Sequence, residues 1–417
     1  MKNKLELLLS ESSTTAHSQT ARPHLVGLTR ATTQLVYTGL VSTQPTTQPV
    51  AVVYGVEYQH PDKTNSALTG ATFAGRIKDR SSLPVFPTAT SFDKDDLFVH
   101  KAFVFEVLES NPFSGAVSNT RLALAEATAA GKIRIVSEAG DDSTEGTPPT
   151  EASLKIGSWK ANVLTRKIKT HLSVELAQDL EANGFDAAET IDDMLATQMA
   201  EEINKDIIQS LINVSHRYRV KGRTENGVLD LTKSINASDQ GRELYQYVCE
   251  MNASIQNNTS FSGDWVLASA RVVSILESSG FLSNHPSDEV PINSEGRLKN
   301  GMLVYVDATA PFDYMIVGVK KHLGEMECAS SLVYSPYSEG LDLDDDEHIG
   351  QFKLAVDSDS LQPVICLMVR YALSVNPFAK VKNADTNVHS SYPSKLTERS
   401  YMSSMLAINL PEIIEMP

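Results

Sequence analysis

The chain has 417 residues, 41% of them apolar, which is long enough for two or three domains with their own cores. A formal net charge of -16 at pH 7 would repel a phosphate backbone, which argues against a surface that binds nucleic acid electrostatically and predicts no sequence-specific nucleic acid partner. No segment approaches the ~18 consecutive apolar residues of a membrane span, and no signal-peptide cleavage site follows the first residues, so we expect a globular protein made in the cytosol.

The segment 12–50 is rich in Ser, Thr and Gln and carries no acidic residue. Its apolar clusters are short, so it cannot bury enough surface to fold by itself. We interpret it as an extended N-terminal arm that becomes ordered against other parts of an assembly.

The segment from residue 51 to about residue 150 is strand-like and interrupted by polar loops. Its clearest β runs are KAFVFEVLE at 101–109 and GKIRIVSE at 131–138. This pattern predicts a mostly β unit inserted between the arm and the next element. The phenylalanines that we interpret as its core are Phe73, Phe86, Phe92, Phe98, Phe103 and Phe105.

A basic run follows this unit, with Arg166, Lys167 and Lys169 close together in an otherwise acidic protein. Such a run usually pairs with carboxylates of its own chain or of a neighbour. It could bind an acidic patch on an adjacent subunit, or it could be a solvated strand face.

The strongest helical pattern in the chain runs from about Ala187 to Ser215. Apolar residues recur there at four-residue spacing, namely Ile191, Leu195, Met199, Ile203, Ile207 and Leu211. Asp186 and Glu189 have the spacing of a capping box, so the pattern predicts one amphipathic helix of about eight turns.

The segment 234–345 alternates helical and strand-like sequence, as an α/β unit does. PVICLMVRYALSVN then predicts a long and nearly continuous apolar strand, and LAINLPEII predicts a last strand.

The sequence predicts no catalytic residue, no cofactor and no metal site, because P-loop, HExxH and Gly-x-Ser-x-Gly patterns are absent. Five acids between residues 342 and 347 could hold a hard cation. However, Glu347 and Lys353 occupy the positions where a calcium loop needs Gly and a bidentate Glu. A solvated acidic loop is therefore the favoured interpretation.

One long continuous run, VELAQDLEANGFDAAETIDDMLATQMAEEINKDIIQSL at 174–211, resembles the spine-helix region of T-even-type phage capsid proteins. The first part of this run, VELAQDLEANGFDA at 174–187, most resembles the vertex branch of that family. Three further matching blocks occur in the family's order: RPHLVGLTRATTQLVY, YSPYSEGLDLDDDEHIGQFK and SLQPVICLMVRYALSVNPF.

The resemblance implies an α+β fold of the HK97 capsid type, with an N-terminal arm, an extended loop carrying a β-rich insertion domain, a spine helix in a peripheral domain, and an axial domain. The implied boundaries are 1–11 for a propeptide, 12–50 for the arm, 51–160 for the extended loop and insertion domain, 161–233 for the peripheral domain, 234–345 for the axial domain, and 346–417 for return strands of the peripheral domain and the C-terminal tail.

The resemblance also implies a structural role in the virion capsid, as a homopentamer at the vertices among hexamers of the major capsid protein. Further implied partners are the prohead protease, the scaffold core and small outer capsid proteins. Members of the family are trimmed after Glu in a Leu/Ile-x-Glu pattern. Leu9, Ser10 and Glu11 match this pattern and place the cut before Ser12.

Three other functions stay open at this point. The chain could be the major capsid protein of the same family, although a cleavage motif only eleven residues into the chain favours the vertex branch. It could bind surface carbohydrate through the insertion domain, which clustered exposed aromatic residues would support. A metal-dependent hydrolase that uses the acidic loop ranks last, because no nucleophile or base occurs at a readable spacing.

Overall fold

The computed structural model of the protein describes residues 36–59, 82–100, 103–113, 119–136, 153–171, 187–224, 226–233, 236–283, 294–322, 328–337, 351–356, 363–376 and 400–412. The helices are α1 (Tyr37–Leu40), α2 (Thr120–Ala129), α3 (Ala187–Val214), α4 (Ala237–Thr259) and α5 (Ala270–Ser278). The strands are β1 (Ser42–Thr43), β2 (Val50–Gln59), β3 (Leu97–His100), β4 (Phe103–Val107), β5 (Ile133–Ile135), β6 (Ser153–Asn162), β7 (Leu164–His171), β8 (Ser215–Arg217), β9 (Val228–Asp230), β10 (Trp265–Ser269), β11 (Leu282–Ser283), β12 (Gly296–Leu298), β13 (Leu303–Asp307), β14 (Tyr314–Gly318), β15 (Lys320–His322), β16 (Cys328–Ser330), β17 (Leu332–Pro336), β18 (Gln351–Val356), β19 (Pro363–Val375) and β20 (Ser400–Asn409).

The sheet of the peripheral domain is organised around β19, the long apolar strand that the sequence predicted. Within the described residues it comprises β1, β17, β18, β19 and β7. Tyr371 of β19 pairs with Pro336 on one side and with Leu164 on the other. Strand β7 therefore lies along one edge of β19, while β17 and β18 follow each other along the opposite edge.

Helix α3, the spine helix, packs its apolar side against this sheet. The predicted helix at about 187–215 is confirmed, with observed bounds Ala187–Val214. The side chains at the predicted four-residue spacing share one buried cluster with β19, and they are Leu195, Met199, Ile203, Ile207 and Leu211. Asp186 and the Glu189 side chain lie outside the described residues, so the capping box stays a prediction.

The end of the predicted arm docks on the spine helix. Val36, Leu40 and Val41 are buried in the same cluster, and the backbone N–H of Tyr37 donates to Asn204 Oδ1 of α3 at 3.2 Å. Strand β1 pairs with β17 in parallel. Residues 1–35, which include the rest of the arm and the predicted propeptide, lie outside the described residues.

The axial domain is built on a mixed sheet, whose described strands are β8 to β14 and β20. Side chains of β10 alternate between two cores: Val266 and Ala268 face α4 and α5, whereas Trp265 and Leu267 face the cluster of the spine helix. This alternation follows from the two-residue period of a strand. The sheet therefore packs on both faces.

Two strands pair across the domain boundaries that the resemblance implies. Strand β20 falls within 346–417, which was assigned to the peripheral domain and the tail, but it pairs with β14 in the axial sheet. Strand β17 falls within 234–345, assigned to the axial domain, but it pairs with β19 in the peripheral sheet. Both strands are buried on both faces, so burial alone could not tell which sheet they complete.

Strands β2 and β6 form a long antiparallel hairpin, paired from Val50 with Asn162 to Gln59 with Ser153. The hairpin carries a small inserted unit in which β3, β4 and β5 form a sheet. Helix α2 also belongs to this unit and was not predicted, since the stretch was interpreted as mostly β. Asn119 caps this alanine-rich helix by accepting the backbone N–H of Leu122 at 3.3 Å.

The core of the inserted unit is aromatic, as predicted. Phe86, Phe92, Phe98 and Phe105 are buried, and the rings of Phe98 and Phe105 stack at 5.2 Å. Phe103 is 56% exposed, so its interpretation as a core residue was wrong. It lies at the first position of β4, beyond the buried stretch of the strand. Phe73 lies outside the described residues.

Candidate assembly site

The basic run of the sequence lies on β7, where strand geometry divides it between two faces. Arg166 and Ile168 point towards the spine helix and are half-buried, while Lys167 and Lys169 are exposed. Alternate residues of a strand point to opposite sides, so the division follows directly from the spacing. The run therefore has an inward part and an outward part with different roles.

The inward part is an arginine cluster, formed by Arg166, Glu202, Asp206 and Tyr371. Arg166 Nη1 donates to Glu202 Oε2 at 2.6 Å, and its Nε donates to the Tyr371 hydroxyl at 2.8 Å. Arg166 Nη2 and the Tyr371 hydroxyl both donate to Asp206 Oδ2. The cluster joins β7, the spine helix and β19, which confirms that this residue of the run pairs with carboxylates of its own chain.

Arg166 and Tyr371 of the cluster each keep one protonation state around neutral pH. Burial alone would lower the pKa of the Arg166 guanidinium, but the neighbouring Tyr371 oxygen and Asp206 carboxylate outweigh it, and the net pKa is raised. Burial raises the pKa of the Tyr371 hydroxyl, and its hydrogen bond to Asp206 raises it further. Arg166 therefore stays charged and Tyr371 stays neutral, so both groups keep the hydrogens that they donate within the cluster.

Replacing Arg166 with Met is expected to lower the free energy of unfolding by about 2 kcal/mol, because it leaves Asp206 and Tyr371 without their charged partner. The value lies below that of a fully buried pair because the Arg166 side chain is 32% exposed. Lys167→Met on the same strand is the control and should change stability by less than about 0.5 kcal/mol. Urea unfolding of the purified chains checks both values. Equal effects of the two substitutions would show that the cluster does not tie β7 to the spine helix.

The outward part of the run is a basic face, formed by Lys167 and Lys169. In the portion of the chain that the structure describes, neither ammonium group forms an ion pair with a carboxylate. Strand β7 pairs with β19 alone among the described strands, so this face lies at an edge of the peripheral sheet. Charge and position make it a candidate surface for contact with another subunit.

A second basic stretch was missed in the sequence, although its signal is present there. RYRVKGR at 217–223 places a basic residue at every second position after the spine helix. Arg219, Lys221 and Arg223 are exposed, and Arg223 Nη1 contacts Glu243 Oε1 of α4 at 3.3 Å. Residues 217–223 are called the basic strap.

The remaining predicted sites fall outside the described residues. These are the cleavage motif Leu9, Ser10, Glu11 and Ser12, and the acidic residues between 342 and 347. Among the residues that are described, no three His, Cys, Asp or Glu side chains are placed to hold a metal ion together. No helix in the described part is long and apolar enough to cross a membrane.

The profile of the family described as "Major capsid protein Gp23" matches residues 18–406 of the chain. The chain belongs to the Gp23 capsid protein family. The described elements fit the α+β fold that the resemblance to this family implies: a spine helix on a peripheral sheet, an axial domain, and a long hairpin with an inserted unit.

Individual members of the Gp23 family differ in how much of this chain they match. The protein of Enterobacteria phage T4 named "Capsid vertex protein" is 45% identical over 99% of each chain, and that of Escherichia phage AR1 matches equally well. The "Major capsid protein" of phage T4 is 28% identical over 58% of this chain and 48% of its own length. The solved structure "The capsid of Myoviridae Phage XM1" superposes with a TM-score of 0.40 at 9% identity, over 94% of this chain and all of that one.

Proposed function

We propose that this structural capsid protein occupies the vertices of a T-even-type phage head, where five copies close each non-portal vertex among hexamers of the major capsid protein. The observation that carries the proposal is the 45% identity, over 99% of both chains, with proteins named for the capsid vertex. The major capsid protein of phage T4 matches only 58% of the chain at 28% identity, which favours the vertex role over the major-capsid alternative. A shell position needs no catalysis, so we propose no enzymatic activity.

The architecture suits a ring subunit. The spine helix packs between the two large sheets and shares one core with both, which makes the centre of the subunit rigid. Among the described strands, β2, β6 and β7 each have one edge that no other strand pairs with, and we propose that neighbours contact these edges. A closed ring needs two different patches that meet between adjacent copies, and such patches can lie on opposite sides of one subunit.

Electron cryo-microscopy of heads made without this chain tests the vertex position. We expect density to be missing at the non-portal vertices and retained in the hexamers. Loss of density across the hexagonal faces would instead identify the chain as the major capsid protein. Heads with complete vertices would overturn the proposed position.

We further propose that the prohead protease removes residues 1–11 by cutting after Glu11. Leu/Ile-x-Glu occurs elsewhere in the chain, but the matches that begin at Leu124 and Ile275 lie within α2 and α5. A protease that takes an extended substrate cannot cut inside a helix without unfolding it. This supports a site near the N-terminus.

Glu11→Gln is expected to block this cut, because it removes the charged side chain that the motif requires. Intact-mass measurement of the chain from mature heads should give a mass beginning at Ser12 for the wild type and at Met1 for the variant. Glu6→Gln is the control, since Lys4 stands where the motif needs Leu or Ile, and it should be trimmed normally. A wild-type chain that keeps Met1 in mature heads would contradict the processing proposal.

A further inference from the structure

Residues 36–46, called the arm anchor, contact the spine helix and the peripheral sheet at the same time. The backbone N–H of Tyr37 donates to Asn204 Oδ1 of the spine helix at 3.2 Å. The ring of Tyr37 packs edge-on against the ring of Tyr334 on β17, with the centroids 5.5 Å apart. The carbonyl oxygen of Tyr334 accepts the backbone N–H of Gln44 at 2.9 Å. The arm anchor is therefore fixed to α3 and to β17 through described contacts.

The same segment also contacts the axial domain, through a lysine and a glycine. Lys320 Nζ donates to the carbonyl oxygen of Thr38. The backbone N–H of Lys320 donates to Asp264 Oδ2 at 3.1 Å, directly before β10, so this lysine is held by the axial domain. A Cβ at Gly39 would overlap the ring of Tyr305 on β13, so a residue without a side chain lets the anchor lie this close to the axial sheet. The arm anchor therefore joins all three large elements of the subunit.

Docking of the arm anchor balances two opposing contributions. Val36, Leu40 and Val41 bury their side chains in the cluster of the spine helix, which stabilises the docked state. The residues of the anchor lose backbone freedom in return, and this entropic cost is of the same order. Strand β1 has only two residues and α1 only four, so release of the anchor breaks few hydrogen bonds. The docked and released states therefore lie close in free energy.

We propose that the arm anchor completes the core shared by the axial and peripheral domains and thereby fixes the angle between them. Its release removes three side chains from that core and loosens the two domains about the spine helix. Residues 12–35 precede the anchor directly in the chain, and we expect them to become ordered in an assembly. Their contacts with a neighbour would then act on the domain angle through the anchor. The use of this coupling in a shell depends on the proposed vertex role, whereas the hold on the angle does not.

Hydrogen exchange of the purified full-length chain tests the docking of the anchor. Gly39→Val drives a side chain against the ring of Tyr305, which is 2% exposed and has no room to move. The amides of Gln44 and Thr46, which donate to carbonyl oxygens of β17, should therefore exchange about tenfold faster than in the wild type. The amide of Ile316, inside the axial sheet, should stay protected and show that the variant is folded. Unchanged exchange at Gln44 and Thr46 would overturn the proposal.

Two neighbouring lysines give a matched pair of variants that introduce no overlap. Lys320→Met removes the ammonium group that binds the Thr38 carbonyl oxygen, so it should accelerate exchange in the anchor in the same direction as Gly39→Val but less. Lys321→Met is the control, because this side chain contacts Ser262 and Asp264 instead of the anchor. It should exchange like the wild type in the anchor. Equal exchange in the two lysine variants would contradict the assigned contact.

The distance between spin labels on the two domains tests the hold on their angle. The labels are attached at Lys167→Cys on β7 and Arg242→Cys on α4, two exposed positions. The native cysteines are first replaced by Ser, namely Cys249, Cys328 and Cys366. We expect one narrow distance distribution with the native anchor and a broader one when Lys320→Met is added. A broad distribution with the native anchor, or equally narrow ones in both chains, would show that the anchor does not fix the angle.

Discussion

Replacing Met199 with Ala is expected to lower the free energy of unfolding by about 3 kcal/mol, the range for truncating a buried long side chain. Met199 lies on the buried side of the spine helix, 2% exposed, within the cluster that both large sheets share. The truncation leaves a cavity that neither sheet can close without losing its own contacts.

Met194→Ala is the matched control, since the same residue type on the same helix is 59% exposed there. It should change stability by less than about 0.5 kcal/mol, because a surface substitution to Ala loses little packing and keeps a strong helix former. Urea unfolding of both purified variants, followed by far-ultraviolet circular dichroism, measures the difference. A loss of stability in the Met194 variant as large as in the Met199 variant would contradict the assignment of the buried side.

Replacing Gly318 with Ala is expected to destabilise the axial domain by about 3 kcal/mol, the upper end of ordinary overpacking. A Cβ at this position would overlap the six-membered ring of Trp265 on the neighbouring strand. Gly318 also pairs with Ser403 of β20, so the strand is held from both sides and cannot shift away.

A second-site change tests whether this overlap is the cause. Trp265→Leu removes the ring atoms that the new methyl group would meet, so Gly318→Ala should cost much less in that background. Urea unfolding can compare the wild type, the two single variants and the double variant. A Gly318→Ala cost that is the same in both backgrounds would show that the glycine is needed for another reason.

The sequence predicted best the elements whose patterns are long and regular. The spine helix was located to within one residue at its end because its apolar spacing persists over about eight turns. Helix α2 was missed because it is short, rich in Ala and surrounded by strand-like sequence, so its apolar side gives little contrast. The sheets that β17 and β20 join could not be predicted from the sequence, because strand pairing over long separations leaves no local signal.

The candidate site was likewise predicted only in part. The basic run was visible in the sequence, and strand alternation alone separates Arg166 from its two lysine neighbours. The partners of Arg166 were not predictable, because Glu202 and Asp206 lie 36 and 40 residues away and Tyr371 lies 205 residues away. Only the packing of β7 and β19 on the spine helix brings them together.

Counting the copies of this chain in purified heads, by quantitative mass spectrometry against the most abundant shell protein, tests the vertex role most directly. We expect a minor component present in a multiple of five copies, with an N-terminus at Ser12. A chain that is itself the most abundant shell protein, or that is absent from the heads, would contradict the vertex role.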